Sequence, residues 1–100
     1  MSTKACNVND LGFAPGGARL TPVAEAEGLR CLLICLYAGE AVEPCKMLRT
    51  VLYVVLEGRG SLQVSDEAMP LVSGSVAIVP KGLVRCIRAE EQMRILAVQA

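Results

Sequence analysis

The chain has 100 residues, of which 53% are hydrophobic and only 3% aromatic, and it contains no Trp, a single Phe and no His. This length suits one domain with one hydrophobic core, which must be built from aliphatic side chains, Met and Cys. Ten Lys and Arg residues balance ten Asp and Glu residues without a run of one sign, so the chain lacks the basic surface typical of nucleic-acid binding.

Residues 1–18 are polar and rich in glycine, with a turn signal at Pro15-Gly16-Gly17. We interpret them as an N-terminal arm that precedes a single β-rich domain at residues 19–100. The start of the chain has no apolar signal-peptide core, and no segment reaches the roughly 18 apolar residues of a membrane span. We therefore expect a cytoplasmic protein with neither a membrane nor a nucleic-acid partner.

The first clear strand signal is the run at residues 29–37, whose apolar residues occupy both parities, as in a strand buried on both faces. A second run at residues 50–56 is rich in β-branched residues. The following Gly58-Arg59-Gly60 predicts a hairpin turn into residues 61–64.

Shorter apolar runs complete the chain at residues 71–72, 76–79, 83–88 and 94–98. No segment has a convincing helical period, although residues 23–29 have room for a short turn. Short strands separated by Gly and Pro about every eight to twelve residues predict an all-β sandwich or barrel.

The five cysteines, at positions 6, 31, 35, 45 and 86, are an odd number with no CxxC spacing. This usage favours reduced thiols over a disulfide framework or a structural zinc site. Cys31 and Cys35 would lie about 13 Å apart on one strand, beyond the roughly 7 Å limit for a disulfide.

Two glycine patterns resemble the sequence motifs of the cupin superfamily. The first cupin motif is Gly, five residues, His-x-His, three or four residues, Glu, six residues and Gly. Gly39 and Gly58 stand at its two ends, and Cys45, Met47 and Val51 stand in place of the two histidines and the glutamate.

The second cupin motif is Gly, five residues, Pro-x-Gly, two residues, His, three residues and Asn. Gly74, Pro80 and Gly82 match its scaffold, whereas Arg85 replaces the histidine and Ala89 the asparagine. Together the two motifs cover residues 39–89. The resemblance implies an antiparallel double-stranded β-helix, the jelly-roll or cupin barrel, for residues 19–100.

In metal-binding cupins the three histidines and the glutamate point into the barrel and hold iron, manganese, nickel or zinc. The equivalent positions here would offer a divalent ion neither imidazole nor carboxylate, so we expect no metal and no other cofactor. Metal-free sugar-epimerase cupins rely on a histidine base, which this chain also lacks.

The interior of the predicted barrel has three interpretations. In the first, inward side chains fill it as an apolar core: Cys45, Met47, Val51, Tyr53 and Val55. In the second, an inward Arg85 with Tyr53 nearby binds the carboxylate or phosphate of a small ligand, because a buried cation needs an anionic partner. In the third, Cys45 and Met47 bind a soft metal such as Cu(I), or Cys45 is a nucleophile beside Arg85.

We therefore predict a metal-free cupin-like barrel that binds a small ligand, anionic if Arg85 holds it, without catalysis. The candidate cavity residues are Cys45, Met47, Val51, Tyr53 and Arg85. The alternatives are an isomerase or lyase for a carboxylated metabolite, a cupin oxygenase with a nonstandard site, and a structural or interaction subunit with a filled barrel. The apolar composition also favours a homodimer whose interface covers outward residues such as Leu52, Val54 and Leu56.

Overall fold

The computed structural model describes residues 5–11 and 19–100 of the chain. These residues form a short 3-10 helix at Val8–Asp10 and a succession of β-strands. The strands are β1 (Arg19–Ala26), β2 (Leu29–Leu36), β3 (Ala41–Lys46), β4 (Val51–Glu57), β5 (Arg59–Val64), β6 (Glu67–Val72), β7 (Val76–Val79), β8 (Val84–Ala89) and β9 (Met93–Gln99). No helix in this described part is long and apolar enough to cross a membrane.

The strands form two antiparallel sheets, with the order β1-β2-β9-β4-β7 in one and β3-β8-β5-β6 in the other. Alternate residues of each strand point into the space between the sheets, where one cluster of buried side chains joins both. The predicted antiparallel all-β fold is therefore confirmed. The cluster contains mostly aliphatic residues: Leu32, Ile34, Leu36, Val51, Tyr53, Val55, Leu62, Leu71, Val79, Ile87, Ala89, Met93, Ile95 and Ala97.

The interpretation of Gly58-Arg59-Gly60 as a hairpin turn is wrong. β4 pairs with β7 and β9, whereas β5 pairs with β6 and β8, so the chain changes sheets at Gly58. Gly58 has a φ of 91°, a left-handed value that suits glycine and turns the chain toward the second sheet. Gly58 does mark a bend, but whether β5 pairs with β4 depends on strands that are distant in the sequence.

The short turn expected within residues 23–29 joins the end of β1 to β2. It consists of Glu27 and Gly28, with φ of 50° and 81°, between two antiparallel strands. The strand signal in β1 is weak because Pro22 interrupts it. Proline is tolerated there because β1 lies at the edge of its sheet, and the register shifts between Pro22 and Ala24.

The described part of the predicted N-terminal arm contacts the five-stranded sheet. Arg94 Nη1 donates a hydrogen bond of 3.1 Å to the Val8 carbonyl oxygen, and Arg94 Nε lies 2.9 Å from a carboxylate oxygen of Glu57. Residues 1–4 and 12–18, including the predicted turn at Pro15-Gly16-Gly17, lie outside the described residues.

Close packing at Gly60 holds β5 against β8 and the start of β9. A Cβ atom at this position would overlap the Arg88 carbonyl oxygen and would lie 2.7 Å from the Met93 Sδ. The Arg88 carbonyl cannot move far, because Gly60 pairs with the next residue, Ala89, in the sheet. The absence of a side chain at Gly60 is therefore a packing requirement.

We expect Gly60→Ala to lower the free energy of unfolding by about 3 kcal/mol, as overpacking of a closely packed interior does. The matched control is Gly82→Ala, because Gly82 has a φ of 87° but open space around it. We expect Gly82→Ala to lower the free energy of unfolding by about 1 kcal/mol, through backbone strain alone. Urea denaturation measures both variants, and equal losses would contradict a packing role for Gly60.

Candidate functional site

The five candidate residues lie toward one end of the space between the sheets, near the β3–β4 and β7–β8 connections. Cys45 on β3 pairs with Arg85 on β8, whereas Val51 and Tyr53 come from β4 in the opposite sheet. Met47 follows β3, is half-buried and packs against the core. The alternation of the strands thus brings together side chains that are up to forty positions apart in the chain.

Two hydrogen bonds from backbone amides join the connections at this end. The Gly82 amide donates to the Met47 carbonyl oxygen at 2.8 Å. The Lys81 amide donates to the Thr50 Oγ1 at 3.3 Å. These bonds hold the β7–β8 connection beside the β3–β4 connection, so that both connections lie at the end of the interior that contains the candidate residues.

Arg85 is the dominant electrostatic feature of the interior. Its side chain is only 2% exposed, and Nη2 donates a long hydrogen bond of 3.4 Å to the Leu83 carbonyl oxygen. Neither Nε nor Nη1 has a hydrogen-bond partner within residues 5–11 and 19–100, and no carboxylate of these residues forms an ion pair with the guanidinium. A buried cation with unsatisfied donors is costly, and it attracts an anion.

Tyr53 places a phenol beside this cation. Its side chain is 6% exposed, and burial raises the pKa of Tyr53, while the neighbouring Arg85 guanidinium partly opposes this effect. The hydroxyl lies within hydrogen-bonding range of the guanidinium, but its geometry satisfies neither Nε nor Nη1. With a raised pKa, Tyr53 stays protonated at neutral pH and is available as a hydrogen-bond donor.

The sequence patterns do not single out Gln99. It is 8% exposed, and among the described residues only Gln99 and Arg85 are polar or charged and buried. It pairs with Val51 across β9 and β4, so it belongs to the same end of the interior. The predicted strand ended at residue 98; extending the alternation of Ile95 and Ala97 by one step would have placed Gln99 on the inward face.

The residues at the cupin metal positions do not fit a metal ion. Cys45, Met47, Val51 and Arg85 supply one thiol, one thioether, no carboxylate and a fixed positive charge. Within the described ranges no three His, Cys, Asp or Glu side chains lie together in a way that could hold a metal. Cys86 faces the other side of the sheet, where its Sγ contacts the Val42 carbonyl oxygen at 3.2 Å, so it adds nothing to Cys45 and Met47.

No protein-family model matches the sequence, and no curated protein matches it. Solved structures do match. A protein from Thermus thermophilus has a TM-score of 0.90 and 24% identity, over 98% of this chain and 97% of that chain. An RmlC-like cupin protein from Desulfovibrio desulfuricans has a TM-score of 0.86 and 21% identity, over 100% of this chain and 97% of that chain.

Enzymes are also among the similar structures. A variant of the salicylate 1,2-dioxygenase of Pseudoaminobacter salicylatoxidans, in complex with gentisate, has a TM-score of 0.78 and 22% identity over 92% of this chain. This chain spans only 28% of that enzyme. The motif scaffold at residues 39–89 agrees with these matches, and the chain has the fold of the cupin superfamily.

Proposed function

We propose that the protein binds a small carboxylate between its two sheets, with the Arg85 guanidinium as the anchor and without catalysis of its own. The observation that carries this proposal is the buried guanidinium, whose Nε and Nη1 lack acceptors in the described part of the chain. A carboxylate would accept from the guanidinium in a bidentate manner and satisfy donors that otherwise weaken the fold.

The surroundings of Arg85 favour a single negative charge on the ligand. Arg85 is the only charged side chain among the buried described residues, so a phosphate dianion would bring a second charge without a counterion. The neutral Tyr53 hydroxyl can donate a further hydrogen bond to the carboxylate. Val51 and Val79, paired across β4 and β7, offer an apolar wall for the rest of the ligand.

The titratable groups favour binding over catalysis. General acid–base catalysis is most efficient when the catalytic group has a pKa near the working pH. The chain has no His, and burial moves the pKa of Tyr53 away from neutrality. An isomerase or lyase reaction at this site would therefore have neither a histidine base nor an ionised Tyr53 at neutral pH.

We also propose that two copies of the chain associate through the outer face of the five-stranded sheet. Val76 and Ile78 on β7 are 63% and 66% exposed, and they pair with Val54 and Leu52 on β4, whose side chains point to the same face. Adjacent exposed aliphatic side chains of this kind are typical of surfaces that another protein covers.

Replacement of Arg85 by Met tests the binding proposal. We expect Arg85→Met to abolish binding of hexanoate and to raise the free energy of unfolding of the ligand-free protein by about 1–2 kcal/mol, since an uncompensated buried charge is removed. The outward-facing neighbour on the same strand provides the control, because Arg88→Met should change neither property.

Isothermal titration calorimetry with hexanoate and with uncharged hexanol measures the first effect, and urea denaturation measures the second. Failure of hexanoate to bind the wild-type protein, or unchanged binding in Arg85→Met, would overturn the proposal.

The pKa of Tyr53 can be measured alone in Tyr37→Phe, because the chain has two tyrosines. We expect the tyrosinate absorbance to rise with a midpoint above the ordinary value of about 10. Adding Arg85→Met should raise this midpoint further, since the opposing positive charge is lost.

This raised pKa also predicts a pH dependence of stability. The contribution of the neutral phenol is complete below the unfolded-state pKa of about 10 and is lost as the pH rises through the higher pKa of the folded state. If the tyrosinate titration instead has its midpoint at or below the ordinary value, the positive charge of Arg85 has a larger effect on the pKa of Tyr53 than burial has.

Association through the outer face can be broken by a charge. We expect Ile78→Lys to convert the dimer into a monomer in size-exclusion chromatography with light scattering, because a buried lysine opposes the apolar contact. The control is Val72→Lys, at an exposed position on the other sheet. A wild-type protein that is monomeric at high micromolar concentration would refute the association.

A further inference from the structure

A cleft opens between the edges of the two sheets. β6 ends one sheet and β7 ends the other, and neither has a second strand partner among the described residues. The cleft between them has a volume of about 320 Å³. Its lining is apolar toward the interior and acidic at the rim: Val64, Ser65, Asp66, Glu67, Met69, Ile78, Val79, Pro80 and Leu83.

Two residues of the cleft lining are direct neighbours of Arg85. Val64, which lines the cleft, pairs with Arg85 across β5 and β8. Leu83 also lines it, and the Leu83 carbonyl oxygen accepts the 3.4 Å hydrogen bond from Arg85 Nη2. Val64 and Leu83 thus belong both to the cleft lining and to the immediate surroundings of Arg85, which does not itself line the cleft.

The rim carries two carboxylates, Asp66 and Glu67, and both residues are exposed. Neither forms an ion pair with a Lys or Arg within the described ranges. Glu67 has the same parity as the inward-pointing Met69 and Leu71 on β6. The unpaired negative charge of Glu67 thus lies on the side of the strand that faces the cleft.

The strand register places Arg85 and Glu67 at the two ends of one row of residues across β8, β5 and β6. Arg85 pairs with Val64, and Val64 pairs with Glu67, so one strand separates the cation from the acid. Neighbouring strands are about 4.8 Å apart, which puts the Cα atoms of Arg85 and Glu67 about 10 Å apart. A ligand with a negative and a positive end would meet a complementary charge at each end of this row.

We propose that the ligand is zwitterionic, an aliphatic carboxylate with an ammonium group at its far end, and that Glu67 selects it. This inference rests on the proposed carboxylate binding at Arg85. The carboxylate binds the buried guanidinium, the alkyl chain lies against Met69 and Val79, and the ammonium reaches Glu67 and Asp66 at the rim.

The test compares hexanoate with 6-aminohexanoate, which differ only in the terminal amine. In calorimetric titrations at low ionic strength, we expect 6-aminohexanoate to bind about fivefold more tightly, the size of one partly exposed charge pair. Glu67→Gln should remove this advantage and leave hexanoate binding unchanged. Asp66→Asn is a second variant at the rim, and Glu43→Gln on β3, outside the cleft lining, is the matched control.

The outcomes separate the two proposals. Equal affinities of the two probes for the wild-type protein, or an advantage that survives both Glu67→Gln and Asp66→Asn, would overturn the zwitterion inference and retain carboxylate binding. Loss of the advantage in Glu43→Gln would show a general charge effect and would also overturn the inference. Binding of neither probe would overturn both proposals.

Discussion

Burial of aliphatic side chains between the two sheets is the interaction on which the other features of this protein depend. With few aromatic residues available, the core is formed by Val, Leu, Ile, Ala and Met at alternate strand positions. Each large side chain buried in this way contributes about 1.5–3 kcal/mol. This stabilisation offsets the desolvation of one buried guanidinium, which costs several kcal/mol when it is uncompensated.

The polar residues of the interior are concentrated at one end. Arg85, Tyr53 and Gln99 lie near the β3–β4 and β7–β8 connections, whereas the opposite end is closed by residues such as Met93 and Leu36, which are fully buried. The apolar core extends to this end as well, because Val51, Tyr53 and Val79 belong to the buried cluster.

The fold does not depend on the side chains at the positions where metal-binding cupins carry their ligands. Gly60 has no space for a side chain, and the left-handed Gly58 and Gly82 set bends that other residues adopt only with strain. These are requirements of the backbone, and they persist when inward side chains change. Structures with about a quarter or less of their residues identical to this chain accordingly share its fold.

Local patterns in the sequence identify the all-β class and the strands β2, β4, β5, β7, β8 and β9, because alternation along an extended chain depends only on neighbouring residues. They predict neither β1 nor β3, and only the last two residues of β6. The inward orientation of Val51, Tyr53 and Arg85 followed from this alternation together with the resemblance to the cupin motifs. Local patterns do not show which strands pair with one another. Whether Gly58 makes a hairpin or a change of sheet depends on β7, β8 and β9, which are distant in the chain. For the same reason, only the tertiary structure decided that Arg85 is buried with unsatisfied donors, that Gln99 shares its end of the interior, and that Glu67 lies in the same row across β5.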